Sequence, residues 1–77
     1  MKTMKEAIAE AKAKGNDITI SDGCTYLEEG WMGDGSWRVC NEVDWYVSQE
    51  EVEAMEVVKI THDADGITFI DVVEIDV

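Results

Sequence analysis

Thr61-His62-Asp63-Ala64-Asp65-Gly66 is the segment whose spacing comes nearest to known chemistry. Asp63, Asp65 and Gly66 fall where positions 3, 5 and 6 of an EF-hand loop would be. Position 1 is then Thr61 and position 12 is Val72, so two principal ligands are missing and no helix follows. The segment reads as a hairpin turn closing on Asp65–Gly66. Gly30-Trp31-Met32-Gly33-Asp34-Gly35 is glycine-rich, but acids surround it and it holds no P-loop lysine. It reads as a hairpin tip, and Trp31 is its candidate contact residue, because tryptophan is enriched at binding hot spots. Cys24 and Cys40 stand far apart and His62 is the single histidine, so the pattern of a zinc site is absent. Adjacent carboxylates occur at Glu28–Glu29 and Glu50–Glu51, but with 18 acids in the chain such pairs arise by chance. Ser21, Ser36 and Ser48 have no credible histidine partner. No catalytic residues, cofactor or metal are expected, and the protein is not read as an enzyme.

Charge is the outlying property: 18 acids against 6 bases, a net of −12 on 77 residues. Residues 1–14 hold four lysines against Glu6 and Glu10, a net of +2. Residues 15–77 hold 16 acids against Arg38 and Lys59, a net of −14. Such a field opposes nucleic acid and anionic membranes and favours a basic partner. The apolar fraction of 45% is that of a folded domain. The chain reads as a single domain, 1–77, with an expected radius of gyration of roughly 11 Å. It has no signal peptide and no apolar run of spanning length, so a cytoplasmic location is expected, the host bacterial cytoplasm if it is phage-encoded. Both thiols are then expected reduced.

The elements that must position these residues follow from local signals. Thr3 and Glu6 form a capping box, and Met4, Ala7, Ile8 and Ala11 make one stripe, so the pattern predicts a helix over residues 4–14 ended by Gly15. Ile18 and Ile20 mark a strand at Asp17–Ser21, and Thr25–Glu29 offers another. Ser36–Val47 reads as a strand or strand pair, with Trp37 and Trp45 expected in the core. Ser48 and Glu51 form a second capping box, with Val47 and Val52 at hydrophobic-staple spacing. Met55–Thr61 offers Val58 and Ile60 to one face. Ile67–Val77 is the longest strand candidate, its alternation broken at Asp71, which implies a bulge or a strand covered on both faces in its first half. The fold class is α+β, an antiparallel sheet of about four to five strands with two short helices on one face.

Val52 and Met55 mark the buried side of the second helix, which turns Glu50 and Glu53 outward and leaves Glu56 on the flank. Glu42 and Asp44 share a strand face directed at solvent if Val43 and Trp45 point inward. B-DNA carries one charge per ~1.7 Å of axis, or about one per 100 Å² of its envelope. A chain this size exposes roughly 4,700 Å², or one net charge per roughly 400 Å². Mimicry of DNA therefore requires the acids to cluster on one side.

In size, in its single domain without a catalytic motif, and in its acid-rich segments Glu42–Asp44, Glu50–Glu56 and Asp63–Asp76, the chain resembles the small acidic inhibitors that phages and mobile elements carry against bacterial defence, the anti-CRISPR and anti-restriction proteins. The resemblance is one of type and transfers no residue. It implies a basic, nucleic-acid-binding protein partner whose binding surface the chain blocks, as a DNA mimic or otherwise. The surface residues expected to make that contact are Glu42, Asp44, Glu50, Glu53, Glu56 and Trp31. The alternative is a small accessory or structural interaction domain, a homodimer through a free strand edge or the Trp31 hairpin.

Overall fold

The computed structural model describes residues 2–29, 35–40, 42 and 44–75. Among these, α1 (Met4–Ala13) is followed by β1 (Asp17–Ser21), β2 (Tyr26–Glu29), β3 (Trp37–Val39) and β4 (Tyr46–Val47). Then come α2 (Gln49–Glu53), β5 (Val57–His62) and β6 (Ile67–Val72). The radius of gyration is 11.4 Å.

Helix α1 forms for the local reasons its sequence declares. The Thr3 hydroxyl accepts from the Glu6 backbone N–H, and the Glu6 carboxylate accepts from the Thr3 N–H at 2.9 Å. These bonds hold the Glu6 carboxyl below its usual range. Met4, Ala7, Ile8 and Ala11 are the buried stripe, its two alanines letting the helix close on the sheet. Gly15, at φ +73°, turns the chain into β1.

The sheet corrects the expectation of four to five antiparallel strands. Six strands lie in the order β4-β3-β2-β1-β6-β5, and β1 and β6 run parallel. The sixth strand arises because the stretch around Trp37 and Trp45 divides into β3 and β4. The parallel pair arises because β6 inserts beside β1 instead of at the edge. The Asp17 N–H donates to the Gly66 carbonyl, so β1 and β6 start from the same end. Position also explains the broken alternation of β6: as an inner strand it buries Thr68, Ile70 and Val72 and half-buries Ile67 and Phe69 on the other face.

The bulge sits in β5 instead, where Val57 pairs with Val72 and Lys59 with Asp71, leaving Val58 extra. Val57 is therefore buried and Val58 exposed, the reverse of the expected phase. Asp63–Gly66 is the β5–β6 hairpin turn, with the Asp63 carboxylate accepting from the Asp65 N–H and Gly66 at φ +85°.

Helix α2 has five residues for a geometric reason. The chain must pass from the β4 edge to the β5 edge, five strand spacings of about 4.8 Å apart in a flat sheet. Ten residue steps at ~1.5 Å each would fall short if all were helical. A short helix between extended flanks reaches.

Both helices cover one face. Its core is Met4, Ala7, Ile8, Ala11, Ile18, Ile20, Leu27, Trp37, Val39, Val47, Val52, Val57, Ile70, Val72 and Ile75. The opposite face is open. Across it Tyr46, Arg38, Glu28, Thr19, Phe69 and Thr61 stand in direct register from β4 to β5.

Candidate functional site

Four of the expected contact acids occupy the segment running from the β3–β4 turn into α2, and Glu56 follows on the approach to β5. Glu42 and Asp44 are exposed, as expected, but they lie in that turn and not on a strand face. Asp44 takes the left-handed conformation, φ +58°, which aspartate tolerates better than most residues. This conformation breaks the alternation that would have pointed Trp45 inward. Trp37 is fully buried, whereas Trp45, just ahead of the short edge strand β4, is 45% exposed. Trp45 thus leaves the core list and joins the surface. Trp31 lies outside the described residues.

On α2 the Ser48 hydroxyl accepts from the Glu51 N–H at 3.2 Å. The second half of the expected capping box is altered: the Glu51 carboxylate accepts from the Ser48 hydroxyl at 3.0 Å, not from the backbone. Val52 is buried beneath the helix and Glu50 and Glu53 are exposed, as the stripe implied. Gln49 ties the helix to the core. Its amide oxygen accepts from the Trp37 indole N–H at 2.7 Å and its amide N–H donates to Glu53 at 3.0 Å. Beyond α2, the Glu56 carbonyl accepts from the Val73 N–H at 3.1 Å. That bond continues the β5–β6 ladder, and beside it lies a groove of about 400 Å³ lined by Glu51, Ala54, Met55, Glu56, Val73 and Glu74.

The ion pairs among the described residues lie elsewhere. Lys2 pairs with Glu10, Lys12 with Glu29 at 2.7 Å, and Arg38 with Glu28 at 2.6 Å. All six lysines and arginines are described residues, and none pairs with a described acid from Glu42 to Glu74. The compensated acids are thus Glu10 on α1 and Glu28 and Glu29 on β2, and the ten described acids from Glu42 to Glu74 are uncompensated among the described residues.

His62 belongs to the compensated set. Its Nδ1 is 2.8 Å from the Thr68 hydroxyl and its Nε2 is 2.8 Å from the Glu10 carboxylate. A hydroxyl, an imidazole and a carboxylate in series have the form of a nucleophile, its base and an orienting acid. Thr68 is fully buried, and its hydroxyl also accepts from the Asn16 amide at 3.1 Å. It therefore presents nothing to an incoming substrate, and the series pins α1 to the β5–β6 hairpin. Sequence reasoning sought a serine partner for His62 and missed Thr68. The available signal was the hairpin itself, whose turn places residues 62 and 68 opposite each other.

Cys24 and Cys40 are free thiols, and burial, followed by the nearby Glu28 carboxylate, pushes the Cys40 thiol up. Among the described residues no three acidic, histidine or cysteine side chains are grouped to hold a metal, and no helix is long and apolar enough to cross a membrane. Set against protein-family models, curated proteins and solved structures, the chain matches none.

Proposed function

We propose that the protein is a non-enzymatic binding module whose acidic α2 side takes a basic protein partner and blocks that partner's nucleic-acid-binding surface, in the manner of anti-CRISPR and anti-restriction inhibitors. The observation that supports this most is the division of the charges. Residues 42–75 hold ten acids against Lys59 alone, and none of those acids is ion-paired among the described residues. Averaged over the 5,016 Å² surface, the net −12 is one charge per roughly 420 Å², about fourfold sparser than DNA. Six of the ten fall between Glu42 and Glu56, in and around α2, and the gap narrows to the extent that they cluster there. The positive α1 packs beside α2 on the same face of the sheet, and Lys2 and Lys12 are already engaged by Glu10 and Glu29.

The test uses a partner captured by the tagged protein and identified, with two readouts. The first is displacement of nucleic acid from the partner by the protein. The second is the association rate. Replacing Asp44, Glu50 and Glu53 by Asn, Gln and Gln should leave the fold intact and lower the association rate roughly tenfold at low salt and less at high salt. Neutralising Lys5, Lys12 and Lys14 should leave the rate unchanged or raise it slightly. A triple acidic variant that associates as fast as the wild type would reduce the charge to a solubility device.

Val58, exposed at the bulge of the edge strand β5, favours the second reading, an interaction domain that pairs through a free edge. Edge pairing rests on backbone hydrogen bonds and apolar contact and is little affected by salt, so a salt titration separates the two.

A further inference from the structure

We infer that the groove between α2 and the end of β6 seats a lysine or arginine side chain of the partner, the alkyl stem lying on Ala54, Met55 and Val73 and the cationic head among Glu51, Glu56 and Glu74. This rests on the reading of the α2 side as the partner surface and names where on it the grip lies.

Two properties of the groove select the occupant. Its floor is apolar: Met55 is half-buried against the core, and Val73 is 59% exposed, an unusual position for a valine just beyond an inner strand. Its rim is acidic: Glu56 and Glu74 have no cationic partner among the described residues, and the Glu51 carboxylate is met only by the Ser48 hydroxyl. A purely apolar guest would strip water from three carboxylates without replacing it, which is costly. An anion would be repelled. A bare metal ion would need the three carboxylates to converge, and among the described residues no such group is formed. A long basic side chain satisfies floor and rim together, because its stem buries on apolar surface while its charged head reaches outward.

The test is a ¹⁵N NMR titration of the whole protein with acetylated, amidated hexa-arginine at low salt, with hexa-citrulline, of equal length and no charge, as its counterpart. The amides of Ala54, Met55, Glu56, Val73 and Glu74 should shift most. Glu56→Gln with Glu74→Gln should weaken binding roughly tenfold or more, because it removes charge-assisted contacts. Asp63→Asn with Asp65→Asn removes equal charge at the far end of β6 and should weaken it less than about twofold. Val73→Ser keeps every charge and should still weaken binding severalfold. Unperturbed shifts elsewhere in each spectrum show that the fold persists. Equal weakening by the two acidic pairs would overturn the groove and leave the wider acidic-surface reading standing. No weakening by either would sink both. Shifts centred on Tyr26 and Tyr46 of the open face, equal binding of hexa-citrulline, or self-association broken by Val73→Ser would each overturn the groove.

Discussion

Thr3-Met4-Lys5-Glu6 and Ser48-Gln49-Glu50-Glu51 are the same helix-start signal, and the molecule uses them to opposite ends. At α1 both reciprocal bonds form, ten helical residues follow, and the charges turn inward on one another, Lys2 with Glu10 and Lys12 with Glu29, while Glu10 also meets the His62 ring. At α2 one reciprocal bond is replaced by a contact between side chains, five helical residues follow, and the acids face water without cations. The first region spends its polar groups on holding helix to sheet. The second is held by Val52 and Gln49, with Met55 just beyond it, and its acids have no cationic partner among the described residues. Electrostatic self-repulsion there is a cost to folding that a partner or a salt would relieve.

The largest expected effect tests how α2 is held. Trp37 is fully buried and is the residue whose indole N–H reaches Gln49, so it joins β3 to the second helix. Trp37→Ala should cost about 3–5 kcal/mol, read from the urea midpoint. For a domain of 77 residues this is a large part of the whole stability. A cost below ~1.5 kcal/mol, the level of a tolerated core swap, would mean that α2 is anchored elsewhere.

The next effect tests the α1 side. Thr68→Val keeps shape and removes the hydroxyl shared by His62 and Asn16, leaving polar groups of both short of a partner. The expected loss is about 1–3 kcal/mol, by the same measurement. Glu10→Gln, which keeps an acceptor for His62, should cost less. If Thr68→Val proves neutral, the series from Thr68 to Lys2 is not what fixes α1 to the hairpin.

A direct comparison of the two starts comes third. Thr3→Ala and Ser48→Ala should each cost about 1 kcal/mol. The two costs should still differ in one respect: the Glu51 carboxylate loses its hydroxyl partner in Ser48→Ala, whereas the Glu6 carboxylate keeps the Thr3 backbone N–H in Thr3→Ala. Ser48→Ala should therefore cost at least as much as Thr3→Ala, and a clearly smaller cost would mean that the altered box at α2 contributes little.

How much of this was legible beforehand depends on how far apart the deciding residues are. Helix α1 was readable in full because its stripe, its cap and Gly15 are all local. The hairpin turn at Asp63–Gly66 was readable for the same reason. The parallel pairing of β1 and β6 was not, since no local feature at Asp17 reports that Gly66 will bond to it. The phase of β5 was lost to the Val58 bulge, and Trp45 was misplaced because one left-handed residue, Asp44, breaks an alternation that looks continuous on paper. Of the candidate site, the acids were visible as composition and helix periodicity. The groove was not, because α2 and the end of β6 meet only where the Val58 bulge sets the register of β5 on β6.

The smallest expected effect concerns a carboxylate that belongs to neither helix and links the chain's two halves. Asp22 accepts from the Thr25 and Cys24 backbone N–H groups at 2.7 and 2.9 Å, and its second oxygen accepts from the Ile75 N–H at 3.0 Å. These bonds, Thr25's first, hold its carboxyl below the usual aspartate range. A lowered folded value contributes stability that is present above the unfolded value of about 3.9 and is lost as pH falls through the folded one. Asp22→Asn keeps one oxygen for the turn and loses the acceptor for Ile75, so at neutral pH it should cost about 0.5 kcal/mol. Below the unfolded value the gap between the two proteins should begin to narrow, and it should close as pH falls through the lowered folded value, where the wild-type carboxyl is itself protonated. The measurement is a series of urea midpoints for both proteins from pH 7 down into acid. Glu6, lowered in the same direction and unchanged in both proteins, makes the acid loss common to the pair, so only the difference reports on Asp22. A gap that stays constant with pH would mean that the amide disturbs the turn by its shape and that the charge on Asp22 contributes nothing. A gap that widens in acid would reverse the sign of the linkage and with it the assignment of the lowered value to these three N–H bonds.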